Sequence, residues 1–282
     1  MNEEGRMSAE AFAESLCGAK ALLIGAGAGM GVDSGLPDFR GTFGFWKAYP
    51  PLQKLGIRFE EMANPLWFSE SPELAWGFYG HRLNLYRRTK PHTGFSILLQ
   101  WINEQNLSPF VFTSNVDGQF QQSGFPAHWI NECHGSLMHL QCIDPCGQPI
   151  WPVDPQMRID IDKKTLLARR PLPSCPGCGG LARPNILMFS DLGWDPKRTN
   201  VQNKRLDQWL LGSGDSRLCI IELGAGASIP TVRLTCEEIW KSTGGTLLRI
   251  NPRDPEVPKG AYSLPMGAES ALRTIEEVRT GG

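Results

Sequence analysis

Four short, dominantly apolar runs, each ending in glycine or a small polar residue, restrict the fold of this chain more than any other feature. The runs are Ala21-Leu22-Leu23-Ile24, Phe110-Val111-Phe112, Leu218-Cys219-Ile220-Ile221 and Leu247-Leu248-Arg249-Ile250. Continuous apolar runs of this length suit strands of a parallel sheet covered on both faces. Helical patterns lie between them, at Ser96 to Ile102 and Thr231 to Lys241. Strands alternating with helices predict a doubly wound α/β sheet. The runs lead into Gly25-Ala26-Gly27-Ala28-Gly29, Thr113-Ser114-Asn115-Val116-Asp117, Gly224-Ala225-Gly226-Ala227-Ser228 and Asn251. Ligands of open α/β sheets bind at the carboxyl ends of the strands, and glycines there let a backbone approach a phosphate closely.

Two stretches break the α/β rhythm. Residues 46–91 are rich in aromatics and prolines, and Ser71-Pro72-Glu73 reads as a helix start with Ser71 as its capping side chain. Residues 139–182 carry paired cysteines and many prolines. The expected division is therefore a nucleotide-binding domain of 10–45, 92–138 and 183–282, with 46–91 and 139–182 forming a small lobe. The 282 residues, 41% hydrophobic, are ample for such a core. A net charge of −1 gives no electrostatic case for nucleic-acid binding. The acidic start and the absence of a long apolar run predict neither a secretory signal nor a membrane helix.

Cys142-x3-Cys146 and Cys175-x2-Cys178 stand 28 residues apart. Two thiolate hairpins are what a tetrahedral zinc site needs, and four cysteines leave no open position, so the predicted zinc is structural. Cysteines used this way point to a reducing compartment, here taken as the cytosol. Cys17, Cys219 and Cys236 are expected to be buried small hydrophobes.

The first glycine loop does not satisfy G-x-G-x-x-G in any frame, so its glycines alone are a weak dinucleotide signal. Its tail carries more. Gly27-Ala28-Gly29 followed by Ser34-Gly35-Leu36-Pro37-Asp38-Phe39-Arg40-Gly41 closely resembles the NAD-binding signature of the sirtuin family. Thr113 to Gly118 is similar to that family's Thr-Gln-Asn-Ile-Asp, His134-Gly135 to its catalytic His-Gly, Arg183 to Phe189 to its Arg-Pro-Asp-Val-Val-Trp-Phe, and Leu223 to Ser228 to its second glycine turn. The resemblance covers about residues 15–275. It implies a Rossmann-like sheet with a smaller lobe made of a helical insert and a zinc module. It also implies NAD as a consumed co-substrate and acylated protein lysines as partners.

The roles implied by that resemblance follow residue by residue. His134 would be the general base and Asn115 would orient the ribose and the reacting water. Gly27, Ala28, Gly29, Ser114, Gly224, Ala225, Gly226 and Asn251 would line the NAD site. Asp117 would bind the nicotinamide amide, Phe39 would shield the ribose, and Asp38 and Arg40 would order the loop above it. Phe189 would line the acyl-lysine tunnel. Tyr79 and Arg82, three apart on a predicted helix, look like the pair with which one subclass reads succinyl and malonyl groups, and an arginine fork suits a carboxylate. Three departures stand out: Gly31 replaces a serine, Ser114 a glutamine, and Gly224-Ala225-Gly226 a Gly-Thr-Ser. Each removes a hydrogen bond worth about 0.5 to 1.5 kcal/mol. Three readings remain: a lysine deacylase, an NAD glycohydrolase or mono-ADP-ribosyltransferase (in which Glu132 or Asp191 would gain importance), and a non-catalytic NAD or ADP-ribose sensor.

Overall fold

The structure is a computed structural model that describes residues 3–37, 41–213 and 217–281. Its centre is a six-stranded, wholly parallel sheet in the order β3-β2-β1-β7-β8-β9. The strands are β1 (Ala21–Ala26), β2 (Ser108–Thr113), β3 (Ile130–Glu132), β7 (Leu218–Leu223), β8 (Thr246–Ile250) and β9 (Tyr262–Leu264). A separate antiparallel sheet has the order β5-β4-β6, from β4 (Gly135–Cys142), β5 (Trp151–Pro152) and β6 (Ala182–Ile186).

The four apolar runs become β1, β2, β7 and β8, adjacent at the middle of the sheet. Their period-two alternation sends side chains to both faces. Leu22, Ile24, Val111, Ile221 and Leu248 face one layer with Phe12, Leu98 and Leu272, from helices Glu3–Cys17, Thr93–Glu104 and Ala268–Thr280. Leu23, Phe110, Phe112, Ile220 and Leu247 face the other with Leu206, Val232 and Ile239, from helices Lys197–Gly212 and Thr231–Thr243. The doubly wound fold expected from the sequence is thus the observed one. The chain moves outward from β1 through β2 to β3, then restarts beside β1 at β7. The switch point therefore lies between β1 and β7, and open α/β sheets bind their ligands at the strands' carboxyl ends at such a point.

A second core joins Phe45, Tyr49, Trp76, Phe78 and Tyr79 to Leu140, Val153, Ile159, Leu166 and Ala182. Trp76 Nε1 donates to the Ala182 carbonyl at 2.9 Å, and Arg87 donates to the carbonyls of Met157 and Asp154 at 2.6 and 2.8 Å. Leu36, Val116, Leu137 and Met188 also join this cluster. Residues 46–91 hold several short helices before the long one, Pro72–Arg88. Pro72 opens that helix as expected, but Ser71 makes no side-chain cap. Cys219 and Cys236 are buried as expected, whereas Cys17, at a helix end, is exposed.

Candidate active site

The turns after β1 and β7 meet face to face. Gly27 N donates to Leu223 O at 2.9 Å and Gly29 N to Gly224 O at 3.0 Å. A Cβ on Gly27 would lie 2.6 Å from Ala225 Cα, and one on Gly224, whose φ is +60°, would lie 2.5 Å from the Gly29 backbone. These glycines are required first by each other; the close packing of the two turns shapes the floor of the site at the switch point.

Residues after β2 line its side. Thr113 Oγ1 donates to Ala26 O at 2.8 Å and accepts from Asn115 N at 3.0 Å. Asn115 Nδ2 donates to Gly27 O at 2.9 Å, so its carboxamide is fixed on the first turn. Ser114 contributes its backbone, with N on Ala26 O at 3.1 Å. Asp117 is buried, and its Oδ1 accepts from Gln119 N at 2.9 Å. Burial, with Glu132 adding to it, pushes its carboxyl up to about 6.

His134 follows β3 half-buried. Its carbonyl accepts from Leu187 N at 3.0 Å, and its Nε2 lies 3.4 Å from Thr231 Oγ1. Burial lowers its pKa, so the ring is neutral at physiological pH and able to take a proton. Its neighbour Cys133 turns its packing toward the core and burial lifts its thiol to about 12, which leaves it protonated. Phe189 is partly exposed; its N donates to Ala63 O at 2.9 Å and its ring meets the edge of Phe59 at 6.2 Å. Asp38, Phe39 and Arg40 lie outside the described residues.

Asn251 is fully buried and its side chain is spent on backbone. Nδ2 donates to Ala225 O at 2.8 Å, and Oδ1 accepts from Arg253 N and Asp254 N at 3.0 and 3.1 Å. It joins the second turn to the loop after β8. Tyr79 and Arg82 are both buried. Tyr79 stacks on Phe68 at 5.7 Å, and Arg82 Nε donates to Tyr86 OH at 2.9 Å with its guanidinium 5.4 Å from the rings of Phe78 and Tyr86.

Cys142, Cys146, Cys175 and Cys178 bring their sulfurs within 4.8 Å of one another. The Cys142–Cys178 and Cys146–Cys175 separations are both 3.6 Å. Zn–S bonds of about 2.3 Å give tetrahedral sulfur edges of about 3.8 Å, so the four residues fit zinc and close its coordination sphere. The cysteines flank the second core, next to Ile143 and Leu181, which pack against it.

Several groups around the site carry no hydropathy signal. Arg183 and Asp191 form a buried bidentate pair that also holds Met188 N on Asp191 Oδ2 at 3.2 Å, fixing the segment that bears Phe189. Glu132 pairs with Arg198. Arg249 binds Glu222 and Glu237. Ser34, His92 and Gln119 form a further polar chain behind the first turn.

A sequence model of the Sir2 family matches residues 27–213. The chain belongs to the Sir2 family. It is 27% identical over 269 residues to an NAD-dependent protein deacylase of Pyrococcus abyssi, covering 95% of this chain and 96% of that one. It is 30% identical over 230 residues to one of Leptospira interrogans, covering 80% and 79%. A solved Sir2 homolog–NAD complex superposes with a TM-score of 0.71 at 25% identity, covering 96% of this chain and 94% of that one. The fold and the four-cysteine module are those of a Sir2 enzyme that uses NAD. Among the described residues, no helix is long and apolar enough to cross a membrane.

Proposed function

We propose that this enzyme removes acyl groups from protein lysines at the expense of NAD, releasing nicotinamide and O-acyl-ADP-ribose. The observation that carries the reading is His134: a half-buried imidazole kept neutral by burial, just past the end of β3 and so beside the end of its parallel partner β2, after which Asn115 and Asp117 come. NAD supplies a ribose carbon that an acyl oxygen can attack as nicotinamide departs. His134 accepts the proton of a ribose hydroxyl, which turns that hydroxyl into a nucleophile. Asn115, held on Gly27 O, orients the ribose and water. Asp117 takes the amide of nicotinamide. Gly27, Ala28, Gly29, Ser114 and Gly224 to Gly226 surround the diphosphate, and Asn251 holds the second turn in place. Phe189 borders the path of the acyl-lysine. Zinc holds the small lobe of residues 46–91 and 139–182 and takes no part in the chemistry.

The transferase reading loses its candidate residues, because Glu132 and Asp191 are committed to Arg198 and Arg183. Arg82, buried beside Tyr79, favours acidic acyl groups: an acyl carboxylate entering that lobe would meet a fixed guanidinium. The four-cysteine zinc module supports a reducing, cytosolic setting. Mass spectrometry of purified protein with NAD and matched acetyl-lysine and succinyl-lysine peptides tests the reading. O-acyl-ADP-ribose is expected from wild type, faster with succinyl-lysine, and its formation should drop at least a hundredfold in His134→Ala. Nicotinamide release with unchanged peptide would replace deacylation by hydrolysis. NAD binding without turnover would leave a sensor.

A further inference from the structure

Cys133 and His134 form the turn from β3 to β4, and the helix Thr231–Thr243 lies against them. Cys133 packs on Val232 and Cys236 of that helix. The backbone of His134 is held from the other side, its carbonyl accepting from Leu187 N at 3.0 Å. Among the described residues the imidazole meets one polar group: Thr231 Oγ1, 3.4 Å from Nε2. Thr231 is the first residue of its helix, directly after Pro230, so its side chain starts from a fixed backbone. The two residues stand 97 apart in the chain, and only the fold brings them together.

A hydroxyl can give or take a hydrogen bond at an imidazole nitrogen, and the two directions make His134 a different reagent. A neutral imidazole has one N–H and one lone pair. If the Thr231 hydroxyl donated to Nε2, the lone pair would be spent there, and Nδ1 would carry the proton and act as a donor. If Nε2–H donates to Thr231 Oγ1, the lone pair stays on Nδ1. Nδ1 has no partner among the described residues and is not one of their buried unsatisfied atoms, so it faces open space. A base for an incoming hydroxyl needs its lone pair on the open nitrogen. Thr231 is itself partly exposed, so its own hydroxyl proton is free to go to water.

We propose that Thr231 is the positioning residue of His134: its Oγ1 accepts from Nε2–H, which fixes the ring and leaves Nδ1 as the proton-accepting nitrogen. The inference rests on His134 being the base of the reaction proposed above, and adds to it a residue and an atom. In this role Thr231 acts through the imidazole and touches no substrate. When Nδ1 takes the ribose proton, the ring becomes an imidazolium and its bond to Oγ1 becomes charge-assisted and stronger. The hydroxyl therefore does more for the protonated ring formed in the step than for the resting one. Its loss should fall on kcat and spare KM for NAD.

The wild-type protein tests the direction of the bond. In a long-range proton–nitrogen NMR spectrum of histidine-labelled protein without NAD, the His134 signals are assigned as those lost in His134→Gln. Nε2 should then appear protonated and Nδ1 bare. Two variants test the role. Thr231→Val removes the hydroxyl at equal size, and Thr231→Ser keeps it. The Val variant should lose the single tautomer and lower kcat about fivefold, the worth of one hydrogen bond, with KM for NAD within about twofold of wild type. The Ser variant should keep the wild-type tautomer and a kcat within about twofold. A wild-type ring protonated on Nδ1 would overturn the inference alone. So would a Val variant with unchanged kcat, or equal losses of kcat in Ser and Val, which would assign the effect to the start of the helix. A wild type that forms no O-acyl-ADP-ribose would instead overturn the proposed function, and the role given to Thr231 with it.

Discussion

Asp117 is held where its charge is expensive. Its carboxyl rises to about 6, from burial first and then from Glu132, against the pull of Gln119 N and Arg82. A folded pKa above the unfolded one means the native state binds the proton more tightly. Stability is then greatest below the unfolded value near 4 and falls as pH rises through about 6. At pH 7.5 the ionised carboxylate costs on the order of 3 kcal/mol. Asp117→Asn keeps an oxygen for Gln119 N and should raise the melting temperature at pH 7.5, while kcat/KM for NAD drops tenfold or more. In wild type, protonation of Asp117 should give kcat/KM an acid limb near pH 6. A limb below pH 5, or an Asn variant no more stable than wild type, would refute this assignment.

At the scale of elements, the polar ties of the second core matter as much as its apolar contacts. The segment bearing Phe189 hangs from the Arg183–Asp191 pair, both side chains nearly inaccessible. Breaking one partner of such a pair costs about 3 to 5 kcal/mol. Asp191→Asn should therefore destabilise the protein by that order in urea titrations and raise KM for the acyl peptide more than KM for NAD. Removing zinc should act beside the same core, where Ile143 and Leu181 pack against it. A chelator, or Cys178→Ser, is expected to abolish deacylation by unfolding the cysteine module, with near-native helix content retained by circular dichroism, since the parallel sheet has its own layers. These ties also explain which elements the sequence displayed. β1, β2, β7 and β8 were legible because a strand buried on both faces by apolar layers must be apolar throughout. β6 was not, since Arg183 and Asn185 are buried there through Asp191, Gln141 and the Asp195 carbonyl, so its hydropathy resembles a loop. The short edge strands β3 and β9 mix Asn131, Glu132 and Ser263 with apolar residues for the same reason. In the site, His134, Asn115 and Asp117 were legible as a motif, whereas the Arg183–Asp191 pair that fixes the segment bearing Phe189 shows itself only in three dimensions.

Over the whole molecule, four of the five histidines, His81, His92, His134 and His139, have pKa values lowered chiefly by burial. His139 is the extreme case, brought down to about 4 by burial and by the nearby Arg198. A histidine depressed in the folded state contributes stability that is fully present above its unfolded value near 6.5 and is lost as pH falls through the folded one. Asp117 acts in the opposite sense over part of the same range, regaining its stability as it protonates below about 6. Four groups outweigh one, so the folding free energy should decline steadily from pH 7 to pH 4.5. The two variants should then bend that slope in opposite directions. His139→Gln removes one acid-sensitive group and should make the decline shallower by about 2 kcal/mol. Asp117→Asn removes the compensating one and should make it steeper, its advantage at pH 7.5 vanishing near pH 4.5. Urea denaturation at three pH values for the three proteins reads all of this directly. A His139→Gln slope parallel to wild type would show that this imidazole is solvated in the native state.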